Sequence, residues 1–197
     1  MTEQYIELRG GGWLRYLPDF YSKPKADALL ERLSSDIQWE HHRQPRLIKW
    51  VGDFAYVYTG VSHQKTPWTP ILLGIRRDVQ KETFKVSRSQ FKGVLLNLYR
   101  DGKDSVGYHT DAEPMLKPDS PITSLSLGVT RRFLLRYNGV VHAGEETPKI
   151  LEFELVHGSL LIMGGTTQRY WKHSVPKQLR VTEPRINLTF REYNTPD

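Results

Sequence analysis

His109-Thr110-Asp111 is the spacing in this 197-residue chain best suited to metal chemistry. On an extended segment, side chains two residues apart point the same way, so one imidazole and one carboxylate can grip a single ion. The chain has no cysteine, which excludes thiolate nucleophiles, iron–sulfur clusters, cysteine-based zinc sites and disulfide frameworks. Any metal must sit on His, Asp or Glu. A His-x-Asp pair also recurs by chance, and its bland alternative is a polar turn before Pro114. A third ligand would change its weight, because two histidines and one carboxylate on an open six-coordinate ion form the face used by non-haem Fe(II) oxygenases. His142 stands in a glycine-containing loop and reads as solvated. His157 lies in a His-Gly turn entering an apolar run and reads as locally hydrogen-bonded. His173 follows Tyr170-Trp171 on a β-type segment, and the pattern favours it as the third ligand.

A second constellation follows in Arg185-Ile186-Asn187-Leu188-Thr189-Phe190-Arg191. Strand alternation puts Arg185, Asn187, Thr189 and Arg191 on one face and the three apolar residues on the other. Two arginines on the face of a core strand need anions. A dicarboxylate with one end in an arginine fork would satisfy them. An edge strand with a solvated basic face would account for the same residues.

These side chains need a frame. Ser22, Pro24 and the spacing of Ala26, Leu29, Leu30 and Leu33 predict a helix over about 23–35. A second helix is expected to begin at Thr66-Pro67 and to carry Ile71, Leu72, Ile75 and Val79 on one face. From Gly93 onward the texture changes to short β-type runs: Val94–Tyr99, Ile122–Gly128, Arg132–Tyr137, Ile150–Leu155, Ser159–Met163 and Arg185–Tyr193. Turn residues such as Asp101-Gly102 and Asn138-Gly139 separate them. Strands at this spacing with no helices between them argue for an antiparallel sandwich or jelly roll. The expected class is α+β, with N-terminal helices buttressing one sheet of a β core.

Length fits one domain over 1–197, with a β core at about 93–193 and a helical, substrate-recognising part at about 13–92. With 28 Lys plus Arg against 22 Asp plus Glu, the formal charge is +6, which suits an anionic partner such as nucleic acid and equally a plain solvated surface. No apolar run approaches a membrane span, and the start shows no export signal. An intracellular monomer is expected.

Taken in order, Asn97-Leu98-Tyr99-Arg100-Asp101-Gly102, His109-x-Asp111, His157-Gly158-Ser159-Leu160-Leu161, His173 and Arg185-x-Asn187-Leu188-Thr189-Phe190-Arg191 resemble the AlkB family of Fe(II)- and 2-oxoglutarate-dependent nucleic-acid dealkylases. The likeness runs from about Trp13 to Arg191. It is nearest to the branch of AlkB homologues two and three, through Pro45-Arg46-Leu47, Tyr56-Val57-Tyr58 and Glu113-Pro114. The resemblance implies a double-stranded β-helix core, iron on His109, Asp111 and His173, and 2-oxoglutarate held by Asn97, Tyr99, Arg185, Asn187 and Arg191. Within that set, Arg185 pairs with the distal carboxylate and Arg191 lies near the C1 carboxylate.

The resemblance further implies an O2-dependent removal of alkyl groups of the 1-methyladenine and 3-methylcytosine type from DNA, with RNA as a further substrate. Formaldehyde, succinate and CO2 are the expected products. Such bases must be flipped or presented in a single strand, and Trp39, Tyr56 and Tyr58 match stacking or channel positions. Glu113 would face the positive charge of the alkylated base. Ala112 stands where the relatives often carry an acidic residue. Arg76-Arg77, Lys81, Lys85, Arg88, Lys92 and Arg131-Arg132 are candidate phosphate contacts. The protein is expected in the cytoplasm if bacterial and in the nucleus if eukaryotic. A hydroxylase of the same fold acting on protein or a small molecule is the alternative enzyme. A silent nucleic-acid-binding module is the alternative outside enzymes.

Overall fold

Every residue of β14 (Arg185–Arg191) is buried, and its two faces enter different cores. Ile186, Leu188 and Phe190 join the apolar cluster beneath the helices. Arg185, Asn187, Thr189 and Arg191 occupy the opposite, polar face of the strand and are buried too. The structure, a computed structural model, describes residues 2–41, 45–58, 60–111 and 113–194.

The chain opens with β1 (Gln4–Leu8), β2 (Gly12–Leu17) and α1 (Lys23–Asp36), followed by β3 (Glu40–His41), β4 (Leu47–Gly52), the hairpin β5 (Tyr56–Tyr58) and β6 (Val61–His63), and α2 (Pro70–Thr83). Next come β7 (Gly93–Tyr99), β8 (Val106–His109), β9 (Ile122–Gly128), β10 (Arg131–Tyr137), β11 (Leu151–Leu155) and β12 (Leu160–Gly165). A single helical turn, α3 (Thr167–Tyr170), then leads into β13 (Trp171–Val175) and β14. The eight-stranded sheet runs β1-β2-β12-β9-β14-β7-β4-β3, and the four-stranded sheet runs β11-β10-β13-β8. The ladders around β14 are antiparallel. Leu14, Leu161 and Met163 of the large sheet pack with Phe133, Leu135 and Val175 of the small one. This sandwich is the expected jelly roll.

Both helices cover the outer face of the large sheet. Leu33 of α1 and Leu72, Ile75 and Val79 of α2 pack against Val94, Leu96, Leu125 and Ile186. Each such side chain taken fully out of water contributes about 1.5–3 kcal/mol. α1 matches its expected span within a residue. α2 starts three residues later than Thr66-Pro67 suggested, and the reason is a competing bond. Thr66 bridges to Gly52, whose N–H donates to its carbonyl at 3.1 Å, so Thr69 becomes the cap and its Oγ1 accepts the Leu72 N–H at 3.4 Å.

The expected boundary at Gly93 between helices and strands does not hold: β1 and β2 extend one edge of the large sheet, and β3 and β4 the other. No helix among the described residues is long and apolar enough to cross a membrane.

Candidate metal centre

β8 and β13 pair antiparallel, with His109 and His173 as direct cross-strand partners. Their ring centroids are 4.3 Å apart. Asp111 lies two residues past His109, beyond the end of β8, with its side chain turned back toward both imidazoles. Its Oδ1 is 3.7 Å from His109 Nε2, and its Oδ2 is 3.9 Å from His173 Nε2. The three ligand atoms all fall within 4.8 Å of one another. The Gly107 carbonyl lies 2.9 Å from His109 Nδ1. A proton on Nδ1 then leaves Nε2 as the metal-facing lone pair.

Electrostatics put His173 and Asp111 in their metal-binding forms. Burial lowers the pKa of the His173 imidazole, with His109 adding to the effect, and it lies at about 3 despite the opposing pull of Asp111. The ring is therefore neutral at physiological pH. Burial alone would push the Asp111 carboxyl up, but Arg191 and then the two histidines outweigh it, so it is held well below the usual carboxylate range. Imidazole nitrogens and a carboxylate make an N/O donor set that suits Fe(II).

Arg191 Nη2 sits 2.9 Å from Asp111 Oδ1. Its Nη1 donates to Tyr56 Oη at 3.4 Å, and Tyr56 Oη donates to Glu113 Oε1 at 3.1 Å. Asp111, Arg191, Tyr56 and Glu113 thus form one connected chain beside the triad. Burial raises the Tyr56 phenol, which keeps it a donor. Glu113 Oε2 is buried and finds no hydrogen-bond partner among the described residues.

Arg185 is 0 % exposed. Its Nη2 donates to Ser126 Oγ at 2.9 Å, while Nε and Nη1 meet no acceptor among the described residues. Burial draws this guanidinium down to about 10, partly offset by Tyr99; the Tyr99 ring centre lies 5.3 Å away. A buried cation with two unmet donors is costly unless an anion reaches it. Beside it, Asn97, Tyr99, Asn187 and Thr189 line one cavity together with all three triad residues. β14 therefore lies inside the large sheet, and the solvated-edge reading of its arginines is overturned.

Sequence reasoning gave no role to Arg46, which is buried, lines the same cavity and donates to Asn97 Oδ1 at 2.7 Å. Its place directly before the apolar run Leu47–Gly52 was the available signal. The three aromatic candidates take different places. Tyr56 is 0 % exposed and stacked on Trp50 at 4.4 Å, so it supports Glu113 rather than walling an open channel. Trp39 packs against the helix-side core. Tyr58 lies in β5, but its side chain is outside the described residues, as is Ala112.

Arg131 is fully buried and donates to the carbonyls of Asp101, Asp104 and Pro176 at 3.0, 2.8 and 2.8 Å. It cannot track phosphates. Its neighbour Arg132 faces outward and pairs with Glu152. His142 is exposed, and His157 accepts the Gly128 N–H at 2.8 Å; neither joins the triad.

Residues 13–191 match the family described as the 2OG-Fe(II) oxygenase superfamily. A jelly roll with a two-histidine, one-aspartate triad is the architecture of that class, whose metal is Fe(II) and whose cosubstrates are 2-oxoglutarate and O2. The alpha-ketoglutarate-dependent dioxygenase alkB homolog 3 of Bos taurus is 38 % identical over 186 residues, covering 88 % of this chain and 64 % of that one. Its Homo sapiens counterpart is 37 % identical over the same coverage. DNA oxidative demethylase ALKBH2 of Mus musculus is 34 % identical, covering 87 % of this chain and 77 % of its own. A solved structure of OsALKBH1 shares the fold, at a TM-score of 0.65 and 20 % identity over 96 % of this chain and all of that one. The chain belongs to the AlkB family of 2OG-Fe(II) oxygenases. It spans slightly under two thirds of the homolog 3 chains it matches.

Proposed function

We propose that this protein removes alkyl groups oxidatively from nucleic-acid bases, acting on lesions of the 1-methyladenine and 3-methylcytosine type in DNA and also in RNA. The observation that carries the reading is a His-Asp-His triad lining one cavity with Asn97, Tyr99 and Asn187, and, against the Tyr99 ring, a buried Arg185 with two nitrogens that meet no acceptor among the described residues. That pairing is what a metal ion and a dicarboxylate together require. The relatives' names, dioxygenase and DNA oxidative demethylase, support the substrate class.

In this reading His109, Asp111 and His173 hold iron. Arg185 holds the distal carboxylate of 2-oxoglutarate, and Asn97, Tyr99 and Asn187 shape the remainder of its pocket. Arg191 fixes the Asp111 carboxylate beside the C1 end. With 2-oxoglutarate and O2, bound Fe(II) supplies a two-electron oxidation that puts oxygen on the N-alkyl carbon, giving succinate and CO2 and, from an N-methyl group, formaldehyde and the unmodified base.

The remaining work belongs to the chain. A base-pairing nitrogen is out of reach inside a duplex, so the target must be flipped or single-stranded. Methylation at adenine N1 or cytosine N3 makes the base cationic. Glu113 is held by Tyr56 through one oxygen, and its Oε2 meets no partner among the described residues, which offers such a base a carboxylate partner at low dielectric. The reading carries with it a single catalytic unit over 1–197, acting as a monomer inside the cell.

Mass spectrometry of methylated oligonucleotides, single- and double-stranded, DNA and RNA, tests it after incubation with Fe(II), ascorbate and 2-oxoglutarate. Loss of 14 Da per lesion, the mass of a CH2 unit, is expected. No change in any of them would favour a hydroxylase acting on protein or a small molecule.

A further inference from the structure

Asp111 is the only member of the triad outside a strand: β8 ends at His109 and β13 contains His173. A metal-binding carboxylate on irregular backbone needs another anchor, and the structure shows one. The Asp111 N–H donates to Gln168 Oε1 at 2.9 Å. Gln168 belongs to α3, the turn that joins β12 to the strand carrying His173.

That turn is itself fastened on several sides. Thr167 Oγ1 donates to the Gly164 carbonyl at 2.6 Å and accepts the Trp13 N–H at 3.2 Å. The Asn138 N–H donates to the Tyr170 carbonyl at 2.6 Å. On its other side the Gln168 amide approaches Met163 Sδ at 3.8 Å, which directs the carbonyl oxygen toward Asp111.

We propose that Gln168 is a positioning residue for the metal carboxylate, tying the main chain of Asp111 to the element that delivers His173. The inference rests on reading His109, Asp111 and His173 as the metal site. Its physical basis is competition for Asp111. Arg191 holds Oδ1 at 2.9 Å, and a metal draws on the same carboxylate. With the N–H tethered, the side chain can serve both. Without the tether, the segment after β8 can follow Arg191 and leave the two imidazoles incomplete. Partners that orient a metal ligand are typically worth 10–100-fold in affinity.

The test is Mn(II) binding to the full chain without substrate, read by the electron paramagnetic resonance of the free ion, alongside melting of the metal-free protein. Gln168→Met removes the acceptor at similar size and should weaken Mn(II) binding by about 10–100-fold with unchanged metal-free melting. Gln168→Glu keeps an acceptor and should restore most of the affinity. Should the Met variant fail to fold, Gln168→Asn, which withdraws the amide by one methylene, takes the same comparison. Wild-type affinity in the Met or Asn variant would overturn the inference, as would equal weakening in the Glu variant. Absence of Mn(II) binding by the wild type would overturn the metal-site reading instead.

Discussion

Arg191 closes a 2.9 Å ion pair on Asp111, and both side chains are almost completely shut off from water. The arginine that the family resemblance places near the cosubstrate therefore also fixes the carboxylate that would bind the metal. Breaking a buried pair from one side strands the other charge, at a cost of about 3–5 kcal/mol. Arg191→Met should lower the denaturant midpoint of the metal-free protein accordingly. Adding Asp111→Asn in the same chain should recover part of the loss, because the stranded carboxylate is gone. Additive losses in the double variant would show that the two groups are not coupled.

Arg185 carries the opposite expectation for the ligand-free protein. Its guanidinium is buried with two nitrogens that meet no acceptor among the described residues, so Arg185→Met should not lower the melting temperature. Binding of 2-oxoglutarate in the presence of Mn(II), measured by titration calorimetry, should weaken by about 2–5 kcal/mol as a buried carboxylate loses its partner. Unchanged affinity would move the anchor elsewhere.

The buried His173 imidazole predicts a pH effect. Its pKa is lowered from 6.5 to about 3, so the unfolded chain takes up this proton before the folded one does. The contribution to stability is complete above about pH 6.5, the ordinary histidine value. It is lost as pH falls from there toward 3. Metal-free melting should decline across that window, and His173→Gln should flatten the decline. An identical slope in the variant would assign the proton to another group.

Glu113 and Tyr56 act as a pair. Glu113→Ala should lower kcat/KM on cationic lesions by about 1.5–3 kcal/mol, the range for hydrogen bonds to charged groups, and affect neutral lesions less. Tyr56→Phe should shift selectivity in the same direction, since it frees the carboxylate that Tyr56 holds at 3.1 Å. Equal losses on both lesion types would remove the electrostatic role.

The alternation of residues 185–191 was legible because both faces of β14 are buried, each in a different environment. His109-x-Asp111 was legible because its spacing needs only an extended backbone. By contrast, β4 escaped notice: Lys49 interrupts its apolar run, and only the fold supplies Glu40 at 2.7 Å to pair with it. Arg131 and Arg132 look alike as a dipeptide, yet on β10 they point to opposite sides, one into three backbone carbonyls and one to Glu152. Tyr56 read as a stacking wall because nothing local reveals that Trp50 covers its ring. Gln168 carries no motif; its partner is 57 residues away in sequence.

In the proposed reading the triad and Arg185 form one site that couples consumption of 2-oxoglutarate to dealkylation. Parallel quantification of succinate and of unmodified base, released from a 1-methyladenine oligonucleotide by the wild type and by Asp111→Ala, tests it directly. The expected result is equimolar succinate and repaired base for the wild type and neither product for the variant. Repair without succinate, or normal yields from Asp111→Ala, would contradict it.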